Sequence, residues 1–197
     1  MGDSRLYHAG SRALQDRFGS RALANRLEEK TFRTVFTDAD RAFIDGSIYF
    51  FLATADAAGR PDCSFKGGPP GFVRVTGAAE LAFPDYDGNG MFKSLGNLAA
   101  NPEVGLLFIA LHDRPRRLRV NGTAVVRAED PLLAATPGAQ LIVRVTARAI
   151  FPNCPRYLPN LTLAGLSPYW PKDGEAPVEP GWKSDPAYSG CVPPRRR

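Results

Sequence analysis

Lys93 and Ser94 follow a glycine-rich turn, Gly88-Asn89-Gly90, inside the stretch FPDYDGNGMFKSLGNLAANP (residues 83–102). Such a turn lets the backbone approach a ligand, and the helix it opens presents unpaired N–H groups in its first turn. An ammonium and a hydroxyl at that point suit a phosphate. The pattern places the helix entry beside Asn89 and Gly90. Met91, Leu95 and Leu98 then share one apolar spacing, and Lys93 and Asn97 lie one turn apart on another face. The same residues also fit a plain loop and an ordinary surface helix, because glycine-rich turns are common. Asp85 and Asp87 read as turn formers rather than as a paired-acid motif.

A second polar array lies upstream, in RPDCSFKGG. Asp62, Ser64 and Lys66 alternate with Cys63 and Phe65, so a strand here carries one polar face. Lys66 fits either a ligand contact or a solvated strand lysine. Cys63 has no second cysteine nearby and reads as a small strand residue rather than a redox thiol. Arg117 lies in PRRLRVNG, between Arg116 and Arg119, which read as a solvated strand face. His112 beside Asp113 reads as a loop pair, since no nucleophilic serine motif accompanies it.

These residues need elements to hold them. The 197 residues suffice for one domain with a full core. Residues 4–30 carry a helical pattern in Leu14, Phe18, Ala22 and Leu23, with Gly19 as a break. Thr37 is placed to cap a second helix, with Asp40 three residues on. Both helical segments are expected to pack on the outside of the strands that come after them.

From Ser47 the pattern becomes strands: IYFFLATAD, RPDCSFKGG, FVRV, ELAF, EVGLLFIAL, RRLRVNGTAVVRAE with a bend at Gly122, and QLIVRVTARAIFP. Short turns between six or seven antiparallel strands point to a closed or nearly closed barrel, mainly β with flanking helices. The chain divides into a helical segment (1–45), a barrel core (46–152) and a proline-rich tail (153–197), read together as one domain. Trp170 and Trp182 are expected to dock the tail on the barrel or on a second subunit.

Composition narrows the function classes. The net charge of +5 falls to +2 without the terminal Arg195-Arg196-Arg197 (5 − 3), and no basic helix appears, so nucleic acid is not an expected partner. Three scattered cysteines and two histidines argue against a disulfide framework and a histidine-rich metal site. The N-terminus has no apolar core of a signal peptide, and no apolar run reaches the roughly 20 residues of a membrane span. A reducing, cytoplasmic setting is the expectation.

Three segments, GRPDCSFKGG, FPDYDGNGMFKSLGNLAANPEVGLLFI and PRRLRVNG, in this order and at these distances, resemble the pyridoxamine 5'-phosphate oxidase-like family of FMN-binding split barrels. The likeness covers about residues 43–157. The fragment NCPRYLP also resembles a subgroup set apart from the true vitamin B6 oxidases.

The resemblance implies a six-stranded split β-barrel that forms a homodimer, with FMN in clefts between the subunits. It implies that the strand Asp62, Cys63, Ser64, Phe65 and Lys66 lies along the flavin ring. Asn89, Lys93 and Ser94 would then serve the phosphate, and Arg117 of the second subunit the pyrimidine edge. A cation at that edge, Lys66 or Arg117, would favour the reduced flavin. Arg156 and Tyr157 fit either a cover for the flavin or an anchor for the tail.

Two departures matter. Pro61 stands where vitamin B6 oxidases carry an arginine, and no histidine follows His112 to form their C-terminal Arg-x-His. The implied activity is therefore an FMN-dependent oxidoreductase acting on a small molecule, rather than a pyridoxamine phosphate oxidase. The rival readings are a flavin- or haem-holding module and a deazaflavin-dependent reductase.

Overall fold

The computed structural model describes residues 4–111 and 114–193; the reading of His112 with Asp113 lies outside them. The N-terminal pattern breaks at Gly19 into α1 (Ala9–Arg17) and α2 (Arg21–Thr31), followed by α3 (Asp38–Asp45). Seven strands follow: β1 (Tyr49–Ala55), β2 (Pro61–Gly67), β3 (Arg74–Val75), β4 (Glu80–Tyr86), β5 (Glu103–Ala110), β6 (Arg116–Arg127) and β7 (Ala139–Asn153). α4 (Lys93–Ala100) lies between β4 and β5.

The strands form one antiparallel sheet in the order β2-β1-β5-β6-β7-β4-β3. β3 holds two residues, because Pro69-Pro70-Gly71 turns the chain just before it. Six long strands therefore do the building, as the resemblance implies.

The sheet curls on itself. Phe50 of β1 and Phe83 of β4 are separated by β5, β6 and β7 in the sheet, yet their rings meet edge to face at 5.0 Å. β2 and β3 remain at the two free edges, so the barrel is split. Its inside is one apolar cluster built from alternate residues of each strand. It contains Phe50 and Leu52, Leu81 and Phe83, Leu106 and Phe108, Leu118 and Val120, and Val143 and Val145. Leu95 and Leu98 join from α4, which closes one end.

The bend expected at Gly122 is a β-bulge, where the pairing of β6 with β7 shifts register. A Cβ at Gly122 would lie 2.0 Å from the Thr146 carbonyl oxygen, so only glycine fits the crossing.

α3 begins as the sequence indicates. The Thr37 hydroxyl accepts from the Asp40 N–H, and the Asp40 carboxylate takes the Thr37 N–H in return. Arg33 forks onto both oxygens of Asp40, which is 2% exposed. Arg116 sits with its guanidinium 4.4 Å from the Phe43 ring centre of α3, while its side chain remains 43% exposed.

The outer helices behave differently from the sequence expectation. Leu14, Phe18 and Leu23 stay exposed, and Ala24 is the buried residue of α2. α1 and α2 hold to each other through Arg12 and Glu28, and the stretch before them through Ser4 and Glu28. Periodicity marks a helical face, but the apolar side chains it picks out here stay exposed.

Candidate functional site

β2 pairs with β1 along one edge and leaves the other edge of its backbone free of sheet partners. Its alternation is inverted relative to a usual edge strand. Asp62, Ser64 and Lys66 pair with Thr54, Leu52 and Phe50, all buried, so the polar face of β2 turns inward. Cys63 and Phe65 point out, and Phe65 is 61% exposed.

The reason for the inversion is α4. Ser94, only 5% exposed, donates to the Ser64 hydroxyl at 2.9 Å and lies 3.3 Å from Asp62 Oδ2. Asn97, also buried, donates to the Thr54 hydroxyl at 3.0 Å. These bonds satisfy polar groups that would otherwise be costly to bury.

α4 itself starts later than the sequence indicates, at Lys93 rather than beside Asn89 and Gly90. Phe92 precedes it in the left-handed region at φ 47°, the one non-glycine residue with positive φ among the described residues. A bulky residue in that conformation marks stored strain. Met91 therefore lies outside the helix and is exposed, while Leu95 and Leu98 are buried as expected. No side chain caps this helix end, so the first-turn N–H groups are left for another acceptor.

Asn89 does not reach the helix. Its amide oxygen accepts the Met91 N–H, which shapes the loop. Lys93 Nζ lies 3.4 Å from Asn97 Oδ1, one turn along the same helix, and the residue is exposed.

The other end of the loop also lies beside β2. Asp85 shares the inner face of β4 with Phe83, whose ring meets Phe50, and Phe50 pairs with Lys66. Burial pushes the Asp85 carboxyl above its ordinary range, opposed by the Gln140 amide bonded to it and by the charge of Lys66. Burial likewise pushes the Tyr86 phenol up to about 12. The glycine-rich loop thus runs from Lys66 to Ser64 alongside β2, with an uncapped helix N-terminus at its far end. The tail returns to this loop, where Lys183 Nζ pairs with Asp87 Oδ2 at 2.5 Å and with Glu179 at 3.2 Å.

Arg117 is not brought to this group. Leu118 points into the core, so its neighbour Arg117 projects from the opposite face of the sheet. Its Nη2 donates to the Cys154 carbonyl, while its buried Nε has no partner. Asn153, its register partner on β7, has an equally buried and unpartnered Oδ1. Asn153 escapes sequence reading, because nothing in the fragment FPNCP distinguishes it from a turn residue.

A shallow cleft of about 290 Å³ lies elsewhere, lined by Arg41, Ala42, Asp45, Arg74 and Val75. Its arginines already donate to backbone carbonyls of Val75, Gly77, Gly71 and Ala135. It contains none of the residues singled out from the sequence.

Curled sheet, free polar strand and end-closing helix together define a split β-barrel. Residues 36–169 match the pyridoxamine 5'-phosphate oxidase family, and the chain belongs to it. No curated protein matches the chain.

Among solved structures, HupZ of Group A Streptococcus is 17% identical, with a TM-score of 0.48 over 64% of this chain and 99% of that one. An FMN-binding protein of Syntrophomonas wolfei is 12% identical, with a TM-score of 0.45 over 73% of this chain and 96% of that one. HutZ, the haem storage protein of Vibrio cholerae, is 18% identical, with a TM-score of 0.41 over 56% and 90%. Family membership rests on the sequence match, not on these likenesses.

The donor set fits a flavin nucleotide. An uncapped helix end with Lys93 beside it suits a phosphate. A free strand edge offers backbone donors and acceptors to a flat heterocycle. The orphaned Arg117 Nε and Asn153 Oδ1 lack a polar partner of their own.

Proposed function

We propose that the protein is an FMN-binding flavoprotein that works as a homodimer and passes electrons to or from a small molecule. The observation that carries this reading is the junction of Ser94, at the start of uncapped α4, with Asp62 and Ser64 of edge strand β2. It joins a helix end suited to a phosphate and a free strand edge suited to a flat ring at a single place. Lys93 and the first-turn N–H groups of α4 would hold the phosphate. The free edge of β2, from Asp62 to Lys66, would take the ring.

The placement of Arg117 supports the dimer. It stands on the sheet face opposite Ser64 and Ser94, so a ligand touching both sets draws them from two copies of the chain. Bound flavin supplies the hydride and electron chemistry at N5; the protein supplies orientation and charge. Lys66, on the inner face of β2, is the cation placed to favour reduced flavin in the same subunit.

Titration with FMN tests this reading. Purified protein is expected to be yellow or to quench FMN fluorescence on binding. Lys93→Ala should weaken binding by roughly 1.5–3 kcal/mol, the range of a charge-assisted contact. A wild type that leaves FMN absorbance and fluorescence unchanged removes the proposal. Tight binding with no reduction by NADH or NADPH would reassign the protein to holding flavin. Mass spectrometry of the ligand released on denaturation separates FMN from a deazaflavin.

A further inference from the structure

Two arginines line the shallow cleft beside β3 with no carboxylate to neutralise them. Arg41 of α3 and Arg74 of β3 are both half-buried there, and Ala42, Asp45 and Val75 complete the wall. Elsewhere the half-buried Arg12, Arg33 and Arg144 each pair with a carboxylate. Among the described residues, Arg41 and Arg74 form no ion pair.

Backbone carbonyls hold both of them instead, and so fix where each guanidinium points. Arg41 donates from Nη2 to the Gly77 carbonyl at 2.9 Å and from Nη1 to that of Val75 at 3.4 Å. Arg74 donates from Nη2 to the Ala135 carbonyl at 2.9 Å and from Nε to that of Gly71 at 3.4 Å. A guanidinium carries five N–H donors, and these bonds use two on each. Arg41 Nε and Arg74 Nη1 make no hydrogen bond among the described residues. A carbonyl dipole also leaves the full positive charge in place.

We propose that this cleft binds a small oxyanion, a phosphate or carboxylate group gripped between Arg41 and Arg74. Planar guanidiniums match such oxygens bidentately, and forks already tethered lose little freedom on binding. The cleft volume of about 290 Å³ suits a small molecule. An oxyanion also offsets the mutual repulsion of two cations on one wall. Asp45 lines the same cleft, is exposed, and pairs with neither arginine. Its charge opposes an anion and lowers the affinity from the rim. The cleft shares no residue with the junction of β2 and α4, so this site stands or falls apart from the flavin reading.

Isothermal titration of the full-length protein with inorganic phosphate, and separately with succinate, at low ionic strength tests the site. At least one probe should bind saturably, with a Kd of about 1 mM or tighter. Arg41→Gln and Arg74→Gln should each weaken that binding about 10-fold. Asp45→Asn should tighten it about 2- to 5-fold, and Lys93→Ala should leave it unchanged.

No saturable binding of either probe overturns the proposal. Binding lost in Lys93→Ala but kept in Arg74→Gln also overturns it, and assigns the anion to α4. Asp45 is exposed, so Asp45→Asn asks for no repacking. An affinity in that variant no tighter than wild type's would likewise sink the site.

Discussion

Asp85 shows how one side chain can carry both a site and a cost. Its carboxyl is pushed up by burial on the inner face of β4, against the opposing pull of Gln140 and Lys66. A carboxyl whose folded-state pKa is raised contributes stability below its unfolded value, and loses it as pH rises through the folded value. Burial of the Asp85 carboxyl therefore costs stability at neutral pH. Asp85→Asn keeps an oxygen for the Gln140 amide and removes the charge. It should raise the urea midpoint at pH 7, with the gain shrinking as the pH falls through the carboxylate range. A variant less stable than wild type at pH 7, with the loss shrinking as the pH falls, would show that Lys66 outweighs burial. The alternation of Asp62, Ser64 and Lys66 was plain in the sequence, but its direction was not. A polar face on an edge strand ordinarily meets water, and only α4, lying over it with Ser94, turns it inward.

At the scale of elements, α4 and the bulge of β6 set the geometry of everything else. The Met91–Leu95–Leu98 spacing pointed to a helix and found two of its three buried residues. It misplaced the start, because the left-handed Phe92 ends the loop in a conformation that propensity disfavours. The Gly122 bend was legible because a lone glycine inside an alternating strand signals a bulge or a close approach. Gly122→Ala would drive a Cβ into the Thr146 carbonyl, backbone against backbone. The expected loss is about 2–4 kcal/mol, read from the denaturation midpoint of the purified variant. A loss below about 0.5 kcal/mol would mean that β6 and β7 separate at the bulge without penalty.

At the scale of the whole molecule, the outer face of β1 and β2 carries a ring trio. Tyr49 stacks on Phe65 at 5.5 Å, and Phe51 meets the same Phe65 edge to face at 6.0 Å. Exposed aromatic groups of this kind mark association surfaces. In the homodimer reading this face covers the second copy. Phe65→Asp should then give a monomer by light scattering and lose FMN affinity together with it. A variant that stays dimeric would place the contact elsewhere, and a monomeric wild type that binds FMN would remove the homodimer reading.

By itself the sequence determined the strand content, the capped α3, the glycine-rich loop and the chemistry offered by Lys93 and Ser94, since these follow from local periodicity, capping and turn composition. Only the tertiary structure decided that Ser94 meets Asp62 and Ser64, that Arg117 faces away from them, and that Asn153 lies beside Arg117. Those relations depend on sheet curvature and strand register, which join residues dozens of positions apart and leave no trace in local spacing.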